Sequence, residues 1–183
     1  MSIAHAAGPA IILAGLEIPS RDPLFLATVA VHLLLGLTCT ITGVIAMLSP
    51  KRAGRHPRFG SIYFWCLAGV FVTMSSLAAV RWSEDYRLFI LGALALAAAY
   101  IGRRAQRDQW RNWVKLHITG MGTSYVLLLT AFYVDNGKAL PLWRDLPRIA
   151  FWLIPAAIGV PLILRALWWH PLARTRRPAV HSG

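Results

Sequence analysis

The chain predicts an all-α fold: a polytopic integral membrane bundle of five transmembrane helices. Three observations predict it. The 183 residues are 57% apolar and only 14% charged, with mean hydropathy +0.54, whereas a soluble domain is nearer half apolar and about a quarter charged. The charged residues fall almost wholly between five apolar stretches. The loops also alternate in charge. Residues 49–60 carry Lys51, Arg52, Arg55 and Arg58 with no acid, and residues 102–115 carry Arg103, Arg104, Arg107, Arg111 and Lys115 against Asp108. The intervening loops balance Arg81 and Arg87 against Glu84 and Asp85, then Lys138, Arg144 and Arg148 against Asp135 and Asp145. Lys and Arg flanks resist translocation. The expected topology is therefore N-terminus outside and C-terminus inside, in a bacterial inner membrane.

Each element has its own reason. Residues 1–22 hold no Lys or Arg before Arg21, so they are expected to lack the n-region of a signal peptide. Within them residues 6–16 are apolar, but eleven residues at ~1.5 Å each cannot cross a core of ~30 Å. An outer-face interfacial or re-entrant segment, an interfacial helix in the simplest form, is expected there, with a sixth span the alternative. The bundle proper covers residues 23–170, and its first span is expected over 23–48. The second, 57–80, opens on Pro57, where a helix tolerates proline. The third, 86–101, is the weakest. Its uncharged core, 88–102, spans only if Arg87, Arg103 and Arg104 snorkel to the interfaces. The fourth is 113–134, and the fifth is 148–169, where Pro155 and Pro161 should kink the helix. Residues 171–183 form a basic inner tail. Trp82 and Trp143 fall at the outer belt, and Trp110, Trp113, Trp168 and Trp169 at the inner one.

Small and polar residues recur at helical spacing on three spans: His32, Gly36, Cys39 and Gly43; Cys66, Gly69, Thr73 and Ser76; His117, Gly120, Ser124 and Ala131. Such seams let backbones approach. The third span shows no polar seam and is expected at the periphery. The formal charge of +12 belongs to loops that flank spans, not to a stripe on one surface. Anionic lipid headgroups of the bilayer are therefore the expected partner and nucleic acid is not. Cys39 and Cys66 fall inside apolar runs and read as small buried residues.

Ionisable residues at membrane depth are the candidates for chemistry. His32 lies ~13 Å from the outer end of its helix and ~24 Å from the inner end. His56 and His117 open the second and fourth spans from the inner side, and His170 closes the fifth there. Imidazole ligates metals and haem iron. His56 and His117 are thus candidate ligands for haem b or a divalent metal near the inner face, with His32 a third cofactor-binding candidate. Arg55, Arg58, Arg111 and Lys115 would suit haem propionates, although orientation already accounts for them. The bland readings stand beside these. His56 and His117 also suit interfacial side chains bonded to backbone, headgroups or water, and His170 sits in the exit sequence Trp168-Trp169-His170-Pro171. His32 also suits a neutral ring donating to Thr73 or Ser76. One centre holding His32, His56 and His117 is disfavoured by depth, because zinc–nitrogen bonds reach only ~2.0–2.1 Å. No carboxylate falls inside an expected span, and no HExxH pair, phosphate loop or serine elbow is present. No catalytic residue set is legible.

Three segments carry a family resemblance: His32-Leu33-Leu34-Leu35-Gly36, Arg55-His56-Pro57-Arg58-Phe59-Gly60-Ser61-Ile62-Tyr63, and Trp113-Val114-Lys115-Leu116-His117-Ile118-Thr119-Gly120-Met121-Gly122. Over residues 23–140 the chain resembles an uncharacterised bacterial membrane-protein family, the domain-of-unknown-function type 2306. The resemblance implies a small helical bundle and makes His32, His56 and His117 the positions to test. It carries no activity. In kind the chain is also similar to cytochrome b-type bundles that hold haem between spans, but it lacks two histidine pairs at matched depths.

Three functional readings result. The first is a histidine-based haem or metal site near the cytoplasmic face, serving electron transfer or sensing. The second is a small-solute binding or transport module whose cavity, between the first, second and fourth spans, is lined by Thr73, Ser76, Ser124 and Tyr125 around His32. The third is a structural subunit without a cofactor, in which an oligomer or membrane-complex partner stays open.

Overall fold

A computed structural model describes residues 11–13, 16–18, 23–50, 54–141 and 143–170. Five long helices dominate: α1 (Pro23–Leu48), α2 (Arg55–Val80), α3 (Trp82–Arg107), α4 (Trp113–Asn136) and α5 (Arg148–Trp169). Four of them, α1, α2, α3 and α5, are long and apolar enough to cross a membrane. Helix α4 is not in that set; it carries Lys115, His117, Ser124 and Asp135 among its apolar residues. Ahead of the bundle, β1 (Ile11–Leu13) pairs antiparallel with β2 (Leu16–Ile18). Over those six residues the backbone is extended and not the interfacial helix expected. The rest of that segment, and the basic tail 171–183, lie outside the described residues.

Helix ends follow punctuation in the sequence. Helix α1 stops before Ser49-Pro50, because proline offers no N–H to continue the ladder. Gly54 precedes α2 with φ +118°, a conformation that L side chains rarely adopt. Helix α3 is much longer than its apolar core. Glu84 and Asp85 occupy its first turn and Arg104 and Arg107 its last, each sign matched to the helix dipole. Pro155 and Pro161 both lie inside one continuous α5.

The helices pack antiparallel in chain order, α1 on α2, α2 on α3, α3 on α4 and α4 on α5, with a further touch between α4 and α1. Phe71 of α2 meets Phe89 and Gly92 of α3, while Gly122 and Gly159 seat Ile163 and Val126 across the α4–α5 seam. The expectation that α3 is peripheral fails: it sits between α2 and α4. Leu91, Ala95, Ala99, Gly102 and Ala105 form its buried ridge. At Gly120 of α4 a Cβ would come within 2.6 Å of the Ala98 carbonyl and 2.8 Å of Gly102 Cα. Apolar smallness, not polarity, builds this crossing.

The core centres on Cys39, Tyr63, Phe64, Leu67, Ala95 and Ala99, with Met121 and Tyr125 packed against it. Polar side chains on α1 return their hydroxyls to their own backbone. Thr28, Thr38, Thr40 and Thr42 bond the carbonyls four residues back at 2.7–2.9 Å. That arrangement removes the cost of placing threonines in an apolar helix.

Candidate functional site

His56 and His117 come together. Their ring centroids are 6.1 Å apart and their planes meet at 78°. Each ring is held by its Nδ1. His56 donates to the Ala46 carbonyl of α1 at 2.8 Å, and His117 donates to the Gly102 carbonyl of α3 at 3.1 Å. A carbonyl only accepts, so both Nδ1 atoms carry the proton. In the neutral rings Nε2 is then the lone-pair nitrogen. A second bond fixing the ring in this way is the usual arrangement around a ligating histidine.

The two anchors differ in origin. An uninterrupted α1 would bond the Ala46 carbonyl to the N–H of residue 50. That residue is Pro50, which has none. His56 supplies a donor to that carbonyl from the next helix. Gly102 lies well inside α3, and His117 adds a bond to a carbonyl with a second lone pair.

Spacing tests what the pair suits. Two imidazoles on opposite sides of one metal, with bonds of about 2.0–2.1 Å and about 1 Å more to each ring centre, have centres about 6 Å apart. At a tetrahedral angle the figure is about 5 Å. The observed 6.1 Å falls near the opposed figure, and equally within the roughly 4.5–7 Å of an ordinary edge-to-face ring pair. Among the described residues no group of three or more His, Cys, Asp or Glu side chains is placed to hold a metal ion. A closed four-ligand zinc site is therefore not built from these side chains.

His32 lies elsewhere, as its depth requires. Its Nδ1 is 2.8 Å from Thr73 Oγ1, whose own proton goes to the Gly69 and Val70 carbonyls at 2.9 and 3.0 Å. Histidine is therefore the donor to threonine. From His56 to Thr73 is seventeen residues of α2, ~25 Å of helix at ~1.5 Å per residue. His170 ends α5, and its Nδ1 is buried without a hydrogen-bond partner among the described residues.

The four residues expected to line a cavity do not share a surface. Ser76 is exposed and returns its hydroxyl to Val72. Ser124 is fully buried; it accepts from the Tyr63 hydroxyl at 2.8 Å and donates to the Met121 carbonyl at 2.8 Å. Tyr125 crosses to the Thr40 carbonyl at 3.1 Å, and its ring fills the space beside Gly43. Openings lie elsewhere, one along α5 and one between α3 and α4.

Sequence reasoning missed Arg103. It was expected to snorkel. Instead it donates to Ser61 Oγ at 3.0 Å and lies 4.8 Å over the Phe64 ring, tying α3 to α2 one residue from the Gly102 anchor. A cation beside an aromatic on the neighbouring span was the available signal. Arg55, Arg58, Arg107, Arg111 and Lys115 are exposed at the same end. Comparison with protein-family models, with curated proteins and with solved structures gives no match.

Proposed function

We propose that the chain is a five-span inner-membrane protein, with its N-terminus outside, whose cytoplasmic face carries a two-imidazole metal centre. In this reading α4 spans within the bundle, shielded by α3 and α5, and the basic loops set the orientation. His56 and His117 would be the residues that hold one metal, and haem b is a group whose iron two histidines can ligate, supplying one-electron chemistry when bound. Arg55, Arg58 and Lys115 supply cations for its carboxylates. The role is electron transfer or sensing. What carries the reading is the 6.1 Å pair with both rings fixed through Nδ1. The test is an optical spectrum with metal analysis on purified protein, before and after reconstitution with haemin and with divalent metals. A Soret band lost in His117→Ala supports the proposal. Neither Soret band nor stoichiometric metal after reconstitution sinks it.

A second reading rests on Pro50. If His56 is only the substitute donor for α1, the pair is structural. His56→Ala then destabilises the bundle whether or not metal is supplied, and His117→Ala has a smaller effect. Loss of a bound metal in both variants, with folding intact, rejects this reading.

A further inference from the structure

Pro161, Leu164, Arg165, Trp168 and Trp169 line a groove of about 450 Å³ on α5. Their spacing is one helical stripe. Gly159 and Ile163 of the same helix meet Val126 and Gly122 of α4. At ~100° per residue the groove stripe centres on the opposite side, away from the bundle. Trp168 and Trp169 are 66% and 73% exposed. The Arg165 guanidinium lies 5.7 Å over the Trp169 ring, which turns it toward the basic end of the helix. Among the described residues the ion pairs are Arg81–Glu84 and Arg104–Asp108, so Arg165 has no carboxylate there.

We infer that this groove binds one anionic phospholipid, its phosphate on Arg165 and one acyl chain along Pro161, Leu164 and Trp168. The five side chains are all exposed on one helix, an open track that a lipid can lie along. On a spanning helix the face opposite α4 meets lipid, and a cation there is costly unless an anion or water reaches it. Tryptophans at the helix end mark headgroup level. The exposed basic loops attract anionic lipid diffusely, whereas the groove pairs one cation with an apolar track and so selects a whole lipid. The inference rests on the membrane-spanning reading and not on the histidine pair.

Native mass spectrometry of the full chain, delipidated in neutral detergent, tests it with phosphatidylglycerol, phosphatidylcholine and glycerol phosphate as probes. One phosphatidylglycerol should be retained and phosphatidylcholine should not. Arg165→Gln should weaken retention about five- to tenfold. Arg165→Lys should weaken it less, and Arg144→Gln, exposed near the other end of α5, not at all. The substituted side chain faces away from the bundle, and circular dichroism of each variant confirms folding. Equal retention of phosphatidylcholine, displacement by glycerol phosphate, unchanged binding in Arg165→Gln, or a dimer in place of the lipid adduct each overturns the inference. Extraction of the protein from membranes by alkaline carbonate would separately refute the membrane reading beneath it.

Discussion

Gly120→Ala should loosen the α3–α4 crossing and the histidine site together. The added Cβ would stand 2.6 Å from the Ala98 carbonyl oxygen, 2.8 Å from Gly102 Cα and 2.9 Å from Gly102 N, all backbone atoms. Ordinary contact begins near 3.4 Å. No side chain can rotate away, so the helices must separate by roughly 0.8 Å, and misfits of this kind cost about 1–3 kcal/mol. The His117 bond to Gly102 starts at 3.1 Å. The same displacement takes it past the useful limit of about 3.5 Å and costs about 0.5–1.5 kcal/mol more. Alanine returns up to about 1 kcal/mol as a better helix former. The net expectation is about 1–3 kcal/mol of destabilisation. Gly36→Ala is the control, because nothing lies within 4 Å of its Cβ; it should be neutral or slightly stabilising. Unfolding in mixed micelles, followed by circular dichroism, measures both. Gly120→Ala at wild-type stability, or Gly36→Ala as damaging, would refute the crossing.

Three further outcomes are expected. His56→Ala should cost about 0.5–1.5 kcal/mol, and less in a Pro50→Ala background, where residue 50 regains an N–H for the Ala46 carbonyl; a double-mutant cycle without coupling rejects the cap. Ser124→Ala should cost more than Tyr63→Phe, about 1–3 against about 0.5–1.5 kcal/mol, because only the former strands a buried hydroxyl; unfolding of the two variants decides it, and the reverse order would falsify the donor assignment. In right-side-out vesicles a cysteine at Lys138 should react with an impermeant maleimide and one at Gln109 should not; the opposite pattern inverts the proposed topology.

Much of the bundle was legible because charge and proline punctuate apolar runs. Residues 23–48 and 148–169 were read as they stand in α1 and α5. Helix α3 was cut short at both ends, since apolarity marks only the buried middle while Glu84, Asp85, Arg104 and Arg107 continue the helix in polar surroundings. Its central position was misjudged for a related reason. A polar seam marks a packed face in the sequence, whereas Ala95, Ala99 and Gly102 pack through size alone. The common level of His56 and His117 followed from helix ends, and so did the separation of His32. The anchors did not follow. Which carbonyl a ring reaches depends on the rotation of each helix about its axis, and a one-dimensional depth does not contain it. Pro50 was nevertheless visible as a missing donor beside a histidine six residues on.

The placement of the pair links site and scaffold. His56 binds α2 to α1, and His117 binds α4 to α3. Each ring is thus fixed within its own antiparallel hairpin, and the two rings meet across the hairpins. Their spacing is set by how one hairpin seats on the other. Deeper in the core the same seating is held by Tyr63 on Ser124 and Tyr125 on Thr40. A metal between the rings would therefore lock the two hairpins at that end, and strain in the tyrosine contacts would reach the rings through rigid helices. The Tyr125 hydroxyl, expected in a cavity wall, instead joins that of Tyr63 in holding the two hairpins, and so the two imidazoles, in place.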